Sequence, residues 1–143
     1  EARRRAPAGA AVLVEVDAPS AAVVHGSRTQ LRRALANLLD NAGRHARTTI
    51  RLSVHERDGR VRVLVDDDGP GIDEADRERV FERFVRLDEH RARTGTDAGG
   101  AGLGLSLVRR IAERHHGTAR VDTAPLGGAR VVLDLPAGAP TGR

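Results

Sequence analysis

Residues 30–46, Gln-Leu-Arg-Arg-Ala-Leu-Ala-Asn-Leu-Leu-Asp-Asn-Ala-Gly-Arg-His-Ala, constrain the chain more than any other stretch. At 3.6 residues per turn, Leu31, Ala34, Leu35, Leu38, Leu39 and Ala42 fall on one side of a helix, the face that seeks a core. Gln30, Asn37, Asn41 and Arg44 fall on a neighbouring stripe. Amides and a cation beside an apolar face make poor core material, because buried polar groups need partners. Such a stripe suits a solvated surface equally well as a metal and a phosphate, since an amide oxygen ligates Mg²⁺ and an arginine grips phosphate.

The rest of the pattern supplies strands. Ala11 to Asp17 alternates with Val12, Val14 and Val16 on one face. Ser27 is an expected N-cap for the long helix. Ile50, Leu52 and Val54 alternate with Arg51, Ser53 and His55. Asp58-Gly59 is a hairpin turn, and Val61, Val63 and Val65 return. Asp73 to Arg79 reads as a short helix. Residues 87–100 are polar and aperiodic, a loop expected to be mobile. A helix is expected from Leu103 to His115, with Gly117 in its C-cap region. A last hairpin joins 119–122 to 129–135 through Pro125 and Gly127-Gly128. These elements predict an α+β chain: a two-layer α/β sandwich with a mixed, mainly antiparallel sheet packed on about three helices. Residues 1–10 read as a flexible lead-in, 11–136 as the single domain and 137–143 as a flexible tail. The opening at Glu1 amid charged residues suggests an excised domain.

Composition removes several alternatives. The chain has no cysteine, so it offers neither a disulfide framework nor a thiolate metal site. All 24 basic residues are arginine, so a phosphate loop ending in Gly-Lys-Ser/Thr cannot be present. A net charge of +4 with only Phe81 and Phe84 as aromatics argues against a stacking surface for nucleic acid. No apolar run reaches the roughly 20 residues that span a bilayer.

Two glycine-rich segments point to nucleotide chemistry. In Val65-Asp66-Asp67-Asp68-Gly69-Pro70-Gly71-Ile72, strand parity puts Asp67 on the face of Val61, Val63 and Val65, toward the helices. A carboxylate there needs a donor, and the exocyclic amine of adenine is one, with Gly69 and Gly71 admitting a flat base. An ordinary acidic turn has the same composition. Asp66 and Asp68 are expected to face solvent. In Gly99-Gly100-Ala101-Gly102-Leu103-Gly104-Leu105-Ser106, a loop opens into a helix, whose free N–H groups suit phosphate; a hinge is the alternative. The spacing fits a dinucleotide fingerprint only in part.

Taken in order, Asn37-Leu38-Leu39-Asp40-Asn41-Ala42, Asp67-Asp68-Gly69-Pro70-Gly71-Ile72, Phe81-Glu82-Arg83-Phe84 and Gly102-Leu103-Gly104-Leu105-Ser106 resemble the asparagine, first glycine, phenylalanine and second glycine boxes of the catalytic ATP-binding domain of bacterial sensor histidine kinases. This family belongs with the gyrase, MutL and heat-shock chaperone ATPases, and its fold is the Bergerat type. The resemblance spans about residues 11–136. It implies ATP and Mg²⁺ as cofactors, with Asn41 as metal ligand. It implies catalytic roles for Asn37 and Arg86. Nucleotide contacts would come from Asn41, Arg44, His45, Asp67, Gly69, Gly71, Ile72, Gly100, Gly102, Leu103, Gly104 and Leu105, and residues 88–101 would be the ATP lid.

The implied activity is that of a protein histidine kinase, which delivers the γ-phosphate to a His on a dimerisation and phosphoacceptor domain of the same parent, with a response regulator downstream. The implied location is cytoplasmic, whether or not the parent is anchored in the inner membrane, with no membrane or nucleic-acid contact by this chain. None of His25, His45, His55, His90, His115 and His116 lies in a phosphoacceptor setting, so the domain alone should not label itself. Ala101 stands where the family often has Ser or Thr, and Ser27 where it often has Asp. The rivals are a related ATPase, which would need a carboxylate at Asn37 to activate water, an anti-sigma serine kinase, and a docking module that has lost its chemistry.

Overall fold

The computed structural model describes residues 12–18, 22–82 and 104–138. Their elements are β1 (Leu13–Asp17), α1 (Arg28–His45), β2 (Thr49–Arg57), β3 (Arg60–Asp67), two one-turn 3₁₀ helices (Glu74–Asp76 and Arg79–Phe81), α2 (Gly104–Arg114), β4 (Thr118–Thr123) and β5 (Ala129–Pro136). The strands form one five-stranded sheet in the order β1-β2-β3-β5-β4. Only the β1–β2 pair is parallel. The architecture is the expected α+β sandwich. The helix anticipated over 73–79 is instead a 3₁₀ turn over Glu74–Asp76, followed by a second over Arg79–Phe81 that buries Val80 and Phe81.

Alternation sets which face is which. Ile50, Val65, Val121, Val131, Leu133 and Leu135 are buried against Ala34, Leu38 and Ala42 of α1 and Val108, Ile111 and Ala112 of α2. Ser27 caps α1 by accepting the Gln30 N–H at 3.1 Å. Asp58 and Gly59 both have positive φ, 53° and 78°, the geometry that matches a two-residue hairpin to strand twist. At the end of α2 the positive φ falls on His116 at 65°, not on Gly117. Gly117 is required for another reason: a Cβ there would lie 2.2 Å from the Asp134 carbonyl oxygen.

The far ends of α1 and α2 are tied by His115. Its Nδ1–H donates to the Ile111 carbonyl at 2.8 Å, and its Nε2 accepts the Ser27 N–H at 3.0 Å. Gly26 makes room for the ring, since a Cβ on it would lie 2.1 Å from His115 Cδ2.

The other sheet face is an ionic mosaic. Glu15, Arg51, Asp66, Arg130 and Asp122 stand side by side across all five strands, with charge alternating at every step. Like charges never meet along the row, so each neighbour stabilises the next. Asp66 is fully buried beneath a two-pronged bond from Arg130, at 2.7 and 2.9 Å. Asp134 is gripped by Arg60 at 2.7 Å and Arg62 at 3.0 Å. The expected exposure of Asp66 is therefore corrected. An arginine 64 positions away covers it, a pairing set by β3–β5 register.

Candidate functional site

The site is built where β3 ends. Asp67 lies on the helix-facing side, as parity requires, and is 3% exposed. Its Oδ1 accepts the N–H of Gly69 at 2.8 Å and of Ala129 at 3.3 Å. No described residue bonds Oδ2. Because no buried side-chain oxygen among the described residues lacks a partner, Oδ2 is accessible from outside. One oxygen is thus fixed and the other is available to a donor.

Close packing surrounds this carboxylate. A Cβ on Gly128 would fall 2.2 Å from Asp67 Oδ1 and 2.6 Å from both the Asp67 carbonyl oxygen and the Gly69 nitrogen. The Gly128 N–H also donates to the Asp67 carbonyl at 3.1 Å. A Cβ on Gly69 would fall 2.1 Å from the His45 carbonyl oxygen, so this glycine lets the loop rest on the end of α1. Gly71, at φ 81°, turns the chain toward Ile72, which is half-buried against the core.

Asp68 does not simply face solvent. Its carboxylate takes N–H bonds from Arg47 at 2.7 Å, Thr48 at 3.1 Å and Thr49 at 3.2 Å, and the Thr48 hydroxyl at 2.7 Å. Partial desolvation opposes ionisation, but these donors outweigh it and hold the carboxyl far below the usual carboxylate range.

On α1, Asn37, Asn41 and His45 are half-buried and Arg44 is exposed. The side chains of Asn37, Asn41 and Arg44 make no hydrogen bond to another described residue. These side chains stand on the helix that ends at His45, and the Asp67 loop packs on the His45 carbonyl. Nearer the start of α1, Gln30 and Arg33 line a depression of about 210 Å³ with Leu107, Arg110, Ile111 and Arg114 of α2. No cluster of three His, Cys, Asp or Glu side chains among the described residues could hold a metal alone. A single amide oxygen on Asn41 fits an ion that takes most of its ligands from phosphate and water, the habit of Mg²⁺.

Gly104 opens α2, and Leu105 is buried in the core, so its side chain packs rather than lining an opening. Phe81 is buried beneath Arg109, whose guanidinium lies 4.0 Å from the ring centroid. Arg109 also donates to Glu78 at 2.9 Å and to the Ala119 carbonyl at 2.9 Å, fastening the second 3₁₀ turn to α2 and β4. Its hydrogen bond, and after that its charge, hold the Glu78 carboxyl below its ordinary range. Phe84, Arg86, the 88–101 segment, Gly100, Gly102 and Leu103 lie outside the described residues.

Sequence reasoning missed Gly128, Ala129 and Asp68. The Gly127-Gly128 pair was readable only as a turn; the available signal was that an inward carboxylate at the end of β3 needs a neighbouring strand without a side chain.

The family model described as "Histidine kinase-, DNA gyrase B-, and HSP90-like ATPase" matches residues 26–139. The sensor histidine kinase CpxA of Escherichia coli K12 is 40% identical over 114 residues, 79% of this chain and 24% of CpxA. The chain thus spans about a quarter of that relative. The crystal structure of the ATP-binding domain of PrrB from Mycobacterium tuberculosis is similar, with a TM-score of 0.68 and 35% identity, over 88% of this chain and 82% of that one. Full-length ShkA in complex with AMPPNP is similar at a TM-score of 0.72 and 29% identity, over 88% of this chain and 26% of ShkA.

Proposed function

We propose, for a chain that belongs to the histidine kinase-, DNA gyrase B- and HSP90-like ATPase family, that Asp67 selects adenine and that the α1 stripe holds the phosphates of ATP. The chain is the ATP-binding catalytic domain of a histidine kinase. Its specific task, delivering the γ-phosphate to a His on a dimerisation domain of the same parent ahead of a response regulator, is our reading. So are its cytoplasmic location and the site assignments below. Among the described residues no helix is long and apolar enough to cross a membrane.

The observation that carries this reading is the state of Asp67: buried, with one oxygen fixed by two N–H groups and the other without a donor among the described residues. Adenine offers an amine to that oxygen, whereas guanine offers a carbonyl. Gly69, Gly71 and Ile72 form the adjoining wall. On the phosphate side, Asn41 contributes an amide oxygen to Mg²⁺, and Arg44 and His45 supply donors. Asn37, one turn earlier, lines the same site. Gly104 contributes its N–H at the start of α2, and the family motif assigns phosphate contacts to Gly100, Gly102, Leu103 and Arg86. Leu105 serves by anchoring that helix in the core. Bound Mg²⁺ supplies neutralisation of phosphate charge.

Positioning and charge neutralisation then suffice for transfer to an incoming imidazole. Water is not activated, because Asn37 cannot act as a base; this disfavours the ATPase rival.

The test is calorimetric titration of the domain with ATP and GTP in Mg²⁺. ATP is expected to bind at least tenfold more tightly. Asp67→Asn should cost ATP roughly 2–3 kcal/mol through loss of a charged hydrogen bond. Equal affinity for the two nucleotides would refute the reading.

A further inference from the structure

We propose that Asp68 is a positioning residue for base selection: it aims the free oxygen of Asp67 by fastening the recognition loop to the link between α1 and β2. The inference rests on the reading that Asp67 takes the amino group at position 6 of the purine.

The chain from 67 to 69 is fastened at three successive residues, each to a different neighbour. Asp67 is held to the β4–β5 turn through Gly128 and Ala129. Gly69 rests on the His45 carbonyl and donates to Asp67 Oδ1. Between them, Asp68 Oδ1 gathers the N–H groups of Arg47, Thr48 and Thr49, and Oδ2 takes the Thr48 hydroxyl and a second, longer bond from its N–H at 3.2 Å. Three consecutive N–H groups converging on one oxygen form a concave anion seat, here filled by the protein's own carboxylate.

Asp68 contributes nothing to the apolar core, so its bonds serve geometry rather than burial. What they join is specific. Residues 47–49 follow directly from His45 and Ala46, the end of the helix that carries Asn41 and Arg44. Asp68 thereby sets the distance between the base end and the phosphate end of one ligand. Without it, Asp67 keeps its fixed oxygen but its peptide plane can swing about the Gly69 contact, and the free oxygen loses its direction. The same donors outweigh partial desolvation and hold the carboxyl below the usual carboxylate range, which favours the charged form that the N–H groups grip.

The experiment compares ATP with purine riboside 5′-triphosphate, which lacks the 6-amino group, in calorimetric titrations at neutral pH with Mg²⁺. Wild type, Asp67→Asn, Asp68→Ala, Asp68→Asn and Thr48→Val are used, each checked by thermal melting in circular dichroism. Wild type is expected to favour ATP about tenfold or more, the equivalent of one charged hydrogen bond. Asp68→Ala should weaken ATP about tenfold, leave the amine-free nucleotide within about threefold, and so collapse the ratio although Asp67 is intact. Thr48→Val should do the same more weakly. Asp68→Asn keeps an acceptor oxygen for the three N–H groups and should retain most of the ratio.

Asp68→Ala that weakens both nucleotides equally, or keeps the wild-type ratio while only the melting temperature falls, overturns the proposal and leaves the Asp67 reading intact. If wild type does not distinguish the two nucleotides, or Asp67→Asn leaves their ratio unchanged, the Asp67 reading fails and this proposal with it. Should Asp68→Ala not fold, Thr48→Val and Asp68→Asn decide by the same ratio.

Discussion

Arg130→Met would expose how the outer sheet face is held. The substitution keeps the aliphatic stem over the sheet but removes both donors to Asp66, at 2.7 and 2.9 Å. The Asp66 side chain is 1% exposed and that of Arg130 27%, so the pair is close to a buried one. Breaking a buried pair from one side typically costs about 3–5 kcal/mol, because a charge is left desolvated and unmatched. Arg51, opposite Asp66 on β2, can turn from Glu15 to share that charge, which moves the expectation to about 3 kcal/mol. Against a total of about 5–15 kcal/mol for a domain, that is a large fraction. At a urea m-value of about 2 kcal/mol/M the midpoint should fall by roughly 1.5 M. The chain has no Trp or Tyr, so far-UV circular dichroism is the probe. Adding Asp66→Leu to Arg130→Met should recover most of the loss, since removing both partners is close to neutral. A cost below about 1 kcal/mol for Arg130→Met, or no recovery in the double variant, would refute the assignment of a buried charge.

Two further outcomes follow from the same geometry. Gly128→Ala puts a methyl 2.2 Å from Asp67 Oδ1 and against two backbone atoms that cannot turn aside, so it should cost about 1–3 kcal/mol in urea melts and abolish measurable ATP binding; wild-type affinity in this variant would contradict the cradle. Asp68 and Asp134 are held below their ordinary pKa, Asp134 by Arg60 and Arg62 against its own burial, so both stabilise the fold fully above the unfolded value near pH 4, and that contribution is lost as pH falls from there through the folded values. The urea midpoint should therefore drop steeply only below about pH 4, and Asp134→Asn should flatten that slope; an unchanged slope would count against the pairing.

Much of this was legible in the sequence because it is local. The 3.6-residue period of Leu31 to Ala42 gave α1 its buried face, and parity from Val61 put Asp67 beneath the helices. Asp58-Gly59 announced its own turn. What escaped depends on register between distant segments. Asp66 reads as one of three adjacent acids until β5 delivers Arg130 to it. Asp68 gains its partners only when the α1–β2 link folds back beside it. Gly117 looked like a helix terminator, yet its smallness answers to Asp134 on the neighbouring strand and leaves the positive φ to His116.

The most direct test of the central claim follows the γ-phosphate. The domain is incubated with γ-labelled ATP and Mg²⁺, alone and with the parent's dimerisation hairpin added in trans. The domain alone should carry no label and release negligible free phosphate, and the hairpin should gain an acid-labile, base-stable label that disappears with Asn41→Ala. Rapid hydrolysis of ATP by the domain alone, lost with Asn37→Ala, would contradict the claim.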